Sequence, residues 1–282
     1  HCYDPYQCSF LGHCWKHIPE YSIFNINSMH LSKKFDLYEQ GIISFQDVQN
    51  SLTLPVKQQL QVDSHLSGKI TIDKPAIKEF LQAIEYPPYF MDFESFQPAI
   101  PLFNNSRPYQ QIPFQYSLHY QKSRKSKLEH NEFLAHAGPE PRIPFIESLL
   151  LDTQSPGQII VYNKSFEVMI LNAIARDFPV YKDDIEERIS RIVDLMTPFQ
   201  KKWYYTPEMK GSYSIKAVLP ALVPELSYKY LDIADGGSAS VAYESLFDEK
   251  DMFKIEEIRK NLLEYCKLDT LAMVKLLNSL KV

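Results

Sequence analysis

Glycine is scarce in this chain, with eight in 282 residues. A glycine-built phosphate cradle needs closely spaced glycines, and neither a G-x-G-x-x-G run nor a P-loop occurs. Cysteine is scarce too: four residues are too few for a disulfide scaffold in a chain this long. No apolar run is long enough to span a bilayer, and the start shows no charged-then-apolar leader. The chain therefore reads as soluble and cytoplasmic, with no membrane partner. Positive charge is not in excess, since 30 Lys and Arg against 35 Asp and Glu leave −5. That balance excludes coating nucleic acid through bulk charge, but not an enzyme that grips phosphates with metal ions and a local basic patch. Aromatics are plentiful, at 18 Tyr and 17 Phe. The length suits one large core, or one domain with a smaller attachment.

The first residue is His1 and not Met, so the chain is expected to be a piece of something longer. Residues 1–20 concentrate Cys, His and aromatics. LSKKFDLYEQG predicts a helix stopped at Gly41, and SFQDVQNSL a second short helix. Asp73 as N-cap with Pro75 in the first turn starts a helix through AIKEFLQAI. The Pro87-Pro88 pair is a boundary candidate. Beyond it, YFMDFES, IPFQYSLHY and LEHNEFLA predict three strands of an antiparallel meander. A helix over about 143–151 and an apolar strand in GQIIVYN follow, then helices in SFEVMILNAIARDF and DDIEERISRIV. Short helices are predicted over 214–222 and 239–247, and a long closing one over about 254–280 with a candidate break near Cys266. Strands first, then strand–helix alternation, predict an α/β fold with a mixed sheet and helices on both faces. The expected organisation is a cysteine-rich segment at 1–20, a helical linker region at 21–85 and the main domain at 86–282.

Asp92 and Glu94 are separated by one residue in a predicted strand, so both side chains share a face. Their neighbours Met91, Phe93 and Phe96 are apolar. Two carboxylates on a buried face are costly unless paired or bound to a cation, and a hard divalent ion suits them. An edge strand with its acids in water is the competing explanation. Tyr265 and Asp269, four apart in a predicted helix, stack on one face, where a surface hydrogen bond would also account for them. Glu167 opens a helix directly after a strand, a position that suits an acid through the helix dipole alone.

Taken together, these acids resemble the motif series of DnaQ-like exonucleases of the DEDD type. The resemblance implies an RNase H-like fold: a mixed five-stranded sheet flanked by helices, here with a small, mostly helical N-terminal extension. It implies 3′–5′ hydrolysis of phosphodiester bonds by two Mg²⁺ or Mn²⁺ ions. Asp92 and Glu94 take the first motif, Glu167 the second and Asp269 the third. Tyr265-Cys266-Lys267-Leu268-Asp269 has the Tyr-x3-Asp spacing of the tyrosine subtype, in which Tyr265 would aim the attacking water. Glu167 departs from the Asp usual at its position. Asn163 is placed at the strand end as a substrate contact or loop-orienting residue, and Asp194, in RIVDLM, resembles a further Asp that these folds often carry on the last strand, with a structural part and not a metal ligand's. Lys216 opens a helix that borders the active site in related folds. The phrases YFMDFES, RPYQQIPFQYSLHY, VYNKSFE, GSYSIKAVLP and YCKLDTLAM are similar to a little-characterised bacterial DnaQ-like family, typically fused behind a RecB-type nuclease domain. That implies a covalently linked upstream partner domain, and single-stranded 3′ ends as substrate.

Cys2, Cys8 and Cys14, with Pro5, Tyr6, Phe10 and Trp15, resemble the closing segment of RecB-type iron–sulfur nucleases. That implies three ligands of a [4Fe–4S] cluster in a full-length protein. A zinc set drawing on His1, His13 and His17, and free thiols in a frayed terminus, are the alternatives. Cys266 reads as a small core residue. Lys122, Arg124, Lys125 and Lys127 cluster in a predicted turn, either a solvated hairpin tip or a phosphate contact away from the scissile bond. Phe96, Tyr109, Gln111 and Phe114 are candidates for stacking on or pairing with terminal nucleotides, against an aromatic core as the plain explanation. Beside the exonuclease stand two rivals: a catalytically weakened nucleic-acid-binding module of a larger nuclease, and a phosphatase or small-nucleotide hydrolase using the same acids.

Overall fold

A computed structural model describes residues 2–3 and 6–281. The expectations attached to His1 and Pro5 lie outside the described residues. Along the chain come α1 (Leu11–Cys14), α2 (Leu31–Glu39), α3 (Phe45–Ser51), α4 (Val56–Ser67), β1 (Thr71–Ile72) and α5 (Lys74–Gln82). Then follow β2 (Tyr89–Phe96), β3 (Ile112–Tyr120), β4 (Glu129–Leu134), α6 (Arg142–Asp152), β5 (Ile159–Val161), α7 (Ser165–Asp177) and α8 (Lys182–Ser190). The remainder is β6 (Ile192–Asp194), α9 (Thr197–Gln200), β7 (Tyr204–Tyr205), α10 (Ile215–Leu222), α11 (Gly236–Ser245) and α12 (Met252–Ser279).

The chain forms two compact units. One joins His1–Asp73 to Phe199–Ala221; the other joins Lys74–Pro198 to Leu222–Val282. In the first, α2 stops before Gly41, whose φ of +76° suits a residue without Cβ. Ser44 and Asp47 cap α3 reciprocally. Ile23, Ile26, Leu37, Phe45, Val48 and Val62 close its core. The buried Gln61 amide ties this unit together: it accepts from the Asn27 N–H at 2.9 Å and donates to the Asn25 carbonyl at 2.9 Å and the Tyr21 hydroxyl at 2.8 Å. β1 pairs antiparallel with β7, joining the two chain segments of the unit.

The second unit is built on a five-stranded mixed sheet in the order β4-β3-β2-β5-β6. β2 pairs antiparallel with β3 and parallel with β5, and β5 pairs parallel with β6. On one face, Tyr89, Met91 and Phe93 pack against Phe145, Ile146 and Leu149 of α6 and Ile170, Leu171 and Ile174 of α7. On the other, Phe96, Ile112 and Phe114 meet Tyr243 of α11 and Leu262 and Tyr265 of α12. The expected mixed sheet with helices on both faces is present.

Three expectations need correction. The predicted helix through DDIEERISRIV ends at Ser190, and Ile192 and Val193 pair with β5 instead; β-branched residues beside an open strand favour the sheet. The long helix runs unbroken past Cys266, whose small buried side chain fits the helix–sheet seam. The helix placed at 239–247 begins earlier, at Gly236, because the Asp235 side chain accepts from the Ser238 N–H and caps it.

Candidate functional site

β2 is central in its sheet, so Asp92 and Glu94 do not sit on an edge strand in water. Both project to the face covered by α12, alternating with the apolar Met91 and Phe93 on the opposite face. β5 pairs with β2 only at Tyr89 and Phe90 and then ends at Val161. The two parallel strands therefore part just before Asp92. A carboxyl-end gap where strand order reverses is where open α/β sheets hold their ligands.

α12 brings the second part. Asp269 is buried, and its nearest carboxylate oxygen lies with those of Asp92 and Glu94 inside a mutual 4.8 Å. Tyr228, in the turn Tyr228–Tyr230, donates its hydroxyl proton to Asp269 Oδ1 at 2.6 Å. Tyr265, one helical turn before Asp269, is buried with its ring centroid 6.3 Å from that of Tyr228. The Cys266 thiol lies 3.7 Å from both the main-chain oxygen and Oδ2 of Asp92. Burial, followed by the charge of Asp92, pushes that thiol up, so it stays a protonated donor and core residue. Burial and the surrounding carboxylates likewise push the Tyr265 and Tyr228 phenols up. Both remain protonated and can donate a hydrogen bond but not take a proton.

Glu167, in the first turn of α7, is 2% exposed, and its Oε2 has no hydrogen-bond partner. Burial drives its carboxyl upward. Its charge reaches Asp92, although Glu167 is not among the three acids that share the 4.8 Å group. Asp194, at the end of β6, holds the turn that leads into α7. Its carboxylate accepts from the N–H of Asn163 at 3.0 Å, Lys164 at 3.2 Å and Met196 at 2.9 Å. That is the structural part expected of it. Asn163 has a φ of +72°, which Asn tolerates better than most residues.

The site is overwhelmingly negative. Burial raises the Asp92 carboxyl well above the usual range, and Asp269, Glu94 and Glu167 add to the rise. Two unit charges at this spacing repel by about 3–4 kcal/mol at an effective dielectric near 20. Among the described residues this is the one group of three or more acidic, His or Cys side chains with metal-ligand spacing. An all-oxygen set of this kind, with a further buried carboxylate oxygen unpartnered at Glu167, fits a hard divalent cation.

The other expected contacts divide between the core and the surface. Phe96 is fully buried, with Phe103, Phe114, Tyr243 and Phe247 around its ring. Phe114 is stacked on Tyr243 at 3.9 Å. Neither ring has a face free for a base, because the sheet–helix seam has claimed both, and the substrate role expected of Phe96 is corrected to packing. Tyr109 is exposed, and Gln111 lines a cleft of about 410 Å³ beside Glu94, Gly236 and Ser240. Asn163 is exposed at the strand end. Lys216 is exposed on α10, in the stretch assigned to the first compact unit. Cys2, Cys8 and Cys14 are free and do not form a three-ligand group among the described residues. Sequence reasoning missed Tyr228, since no local spacing links it to Asp269, forty-one residues away.

Residues 89–214 match a family described as a domain of unknown function, DUF2779. The match takes in Asp92, Glu94 and Glu167 and ends before Tyr265. The chain is similar to an uncharacterized protein of Ureaplasma parvum serovar 3, 29% identical over 230 residues, which cover 74% of this chain and 33% of that protein. It is also similar to an uncharacterized protein of Mycoplasma genitalium, 26% identical over 205 residues, covering 66% and 31%. The chain thus spans about a third of the length of these curated relatives. No solved structure matches. No helix among the described residues is long and apolar enough to cross a membrane.

Proposed function

We propose that this chain is a metal-dependent 3′–5′ exonuclease of the DnaQ-like, tyrosine subtype, acting on single-stranded ends of DNA or RNA. The observation that carries the reading is the convergence of Asp92 and Glu94 from β2 with Asp269 from α12, inside 4.8 Å. The sheet order, with β3 antiparallel and β5 and β6 parallel to β2, supports an RNase H-like fold. Asp92, Glu94, Asp269 and Glu167 would hold two Mg²⁺ or Mn²⁺ ions. Bound there, such ions would lower the pKa of a water and offset the charge of the scissile phosphate.

The chain's own groups supply position. Tyr228 fixes one oxygen of Asp269. Tyr265, held protonated, donates a hydrogen bond that orients a water or a phosphate oxygen. Asp194 sets the turn that aims Glu167. The test is digestion of 5′-end-labelled DNA and RNA with Mn²⁺, comparing the chain with Asp92→Ala. Stepwise shortening from the 3′ end, lost in the variant, is expected; equal digestion by both would sink the assignment.

A second reading is a binding module with weakened chemistry. It is favoured by Glu167, which stands apart from the three grouped acids. Mn²⁺ titration separates the two, because a pure binding module has no carboxylate-dependent metal uptake. In a longer chain, Cys2, Cys8 and Cys14 would supply three ligands of a [4Fe–4S] cluster behind a RecB-type domain. Iron and sulfide analysis of that longer protein is the check, and absence of both would end the idea.

A further inference from the structure

The second unit carries a groove of about 770 Å³ bounded by α5, the turn between β3 and β4, and the end of α12. Lys74, Lys78, Arg124 and Lys281 line it, and among the described residues no acid does. In a chain with 35 acidic and 30 basic residues, that is a local reversal of sign. None of the four forms an ion pair among the described residues, whereas Lys122 in the same turn is paired with Glu129 at 2.9 Å. The groove also has an aromatic wall: Tyr86, with the Arg124 guanidinium 5.7 Å from its ring centroid. Leu277 and Leu280, at its other side, lie about 12–17 Å beyond Asp269 along the helix axis.

We propose that this groove binds the phosphodiester backbone of a single-stranded nucleic acid, at a distance from the carboxylates. Unpaired cations spaced along an open groove neutralise successive phosphates, and an aromatic wall accommodates bases without reading them. A compact anion would need the cations turned onto one point; here they come from three separate elements. The assignment names a partner surface for the proposed exonuclease and rests on that reading for its role, though the binding itself does not require cleavage.

The experiment measures anisotropy of a fluorescein-labelled 20-nucleotide single strand in EDTA, where the carboxylates hold no metal. The wild-type chain is compared with the quadruple variant Lys74→Ala, Lys78→Ala, Arg124→Ala and Lys281→Ala, and with Arg124→Ala alone. The quadruple variant should bind at least about tenfold more weakly, and its salt dependence should be shallower by about 2–3 in log–log slope, at about 0.7 per phosphate contact. Arg124→Ala, at an exposed turn where folding is not at risk, should lose about 0.7 of slope. EDTA keeps the carboxylates free of metal and anisotropy reads no cleavage, so failure of the cleavage assignment leaves this result standing. Unchanged affinity and slope in both basic variants would overturn the proposal. So would wild-type binding to phosphatidylglycerol vesicles with none to the oligonucleotide.

Discussion

Tyr228 donates its hydroxyl proton to Asp269 Oδ1 across 2.6 Å, linking a single-turn helix to the middle of α12. The bond orients a carboxylate that the grouped acids need in one rotamer. Tyr228→Phe removes the donor and keeps the ring. Mn²⁺ affinity should fall about 10–100-fold, as for other outer partners of metal ligands, while urea unfolding shifts by no more than about 2 kcal/mol. Isothermal titration alongside denaturation checks both.

Asp92 is strained by its neighbours, because burial and three other carboxylates all disfavour its charge. Removing that charge should stabilise the metal-free protein. Asp92→Asn is expected to raise the melting temperature in EDTA at neutral pH while abolishing Mn²⁺-dependent digestion. Since the folded carboxyl titrates above its unfolded value, the gain should grow as pH rises from acid to neutral. A lower melting temperature at every pH would show that the repulsion argued for this site is not there.

Asp194 accepts three main-chain N–H bonds at the entry to α7. Asp194→Ala leaves those donors unmatched and frees the turn that carries Glu167. A loss of about 2–4 kcal/mol in urea unfolding is expected, together with weaker Mn²⁺ binding. Asp194→Asn, which keeps one acceptor oxygen, should recover part of both.

His119 and His130 sit against α12, with His119 Nδ1 2.7 Å from Thr270 Oγ1 and His130 Nε2 2.9 Å from Ser117 Oγ. Burial depresses both, with Lys267 adding to each and His130 to His119, to about 3 for His119 and about 4 for His130. The unfolded chain therefore binds more protons below its ordinary imidazole value of 6.5. Stability is full above that pH and is lost as pH falls toward 3. The expected loss from His119 is about 2–3 kcal/mol between pH 6.5 and about 4.5. Denaturant midpoints across that range check it, and His119→Gln should flatten the profile.

Phe96 and Phe114 belong to the aromatic seam under α11 and α12, not to a base-stacking platform. Phe96→Ala should cost about 3–5 kcal/mol. Phe96→Leu, which keeps most of the volume, should fold and bind a single-stranded oligonucleotide as tightly as the wild type. A selective loss of binding by the leucine variant would restore the stacking role.

Much of the layout was readable along the chain because local chemistry repeats with a fixed period. Period-two alternation placed Asp92 and Glu94 on one face of a strand, and a four-residue step placed Tyr265 above Asp269 on a helix. Cap and breaker residues marked α2 and α3 within a residue or two. Where such signals were weak, the reading slipped. By periodicity Ile192 and Val193 continue a helix; the parallel partner β5 makes them a strand.

What the sequence determined by itself is the set of acids and the elements that carry them, since both follow from spacing. What the tertiary structure decided is which of them meet. Asp92, Glu94 and Asp269 come within 4.8 Å because α12 crosses the face of β2, and Glu167 stands apart because its helix starts from a different strand. Tyr228 enters for the same reason, from a turn with no sequence relation to Asp269. Phe96 leaves the site because packing enclosed its ring. Spacing governs neighbours one helical turn or one strand pleat apart; contacts across forty or more residues depend on how apolar faces are buried, and no local pattern encodes that.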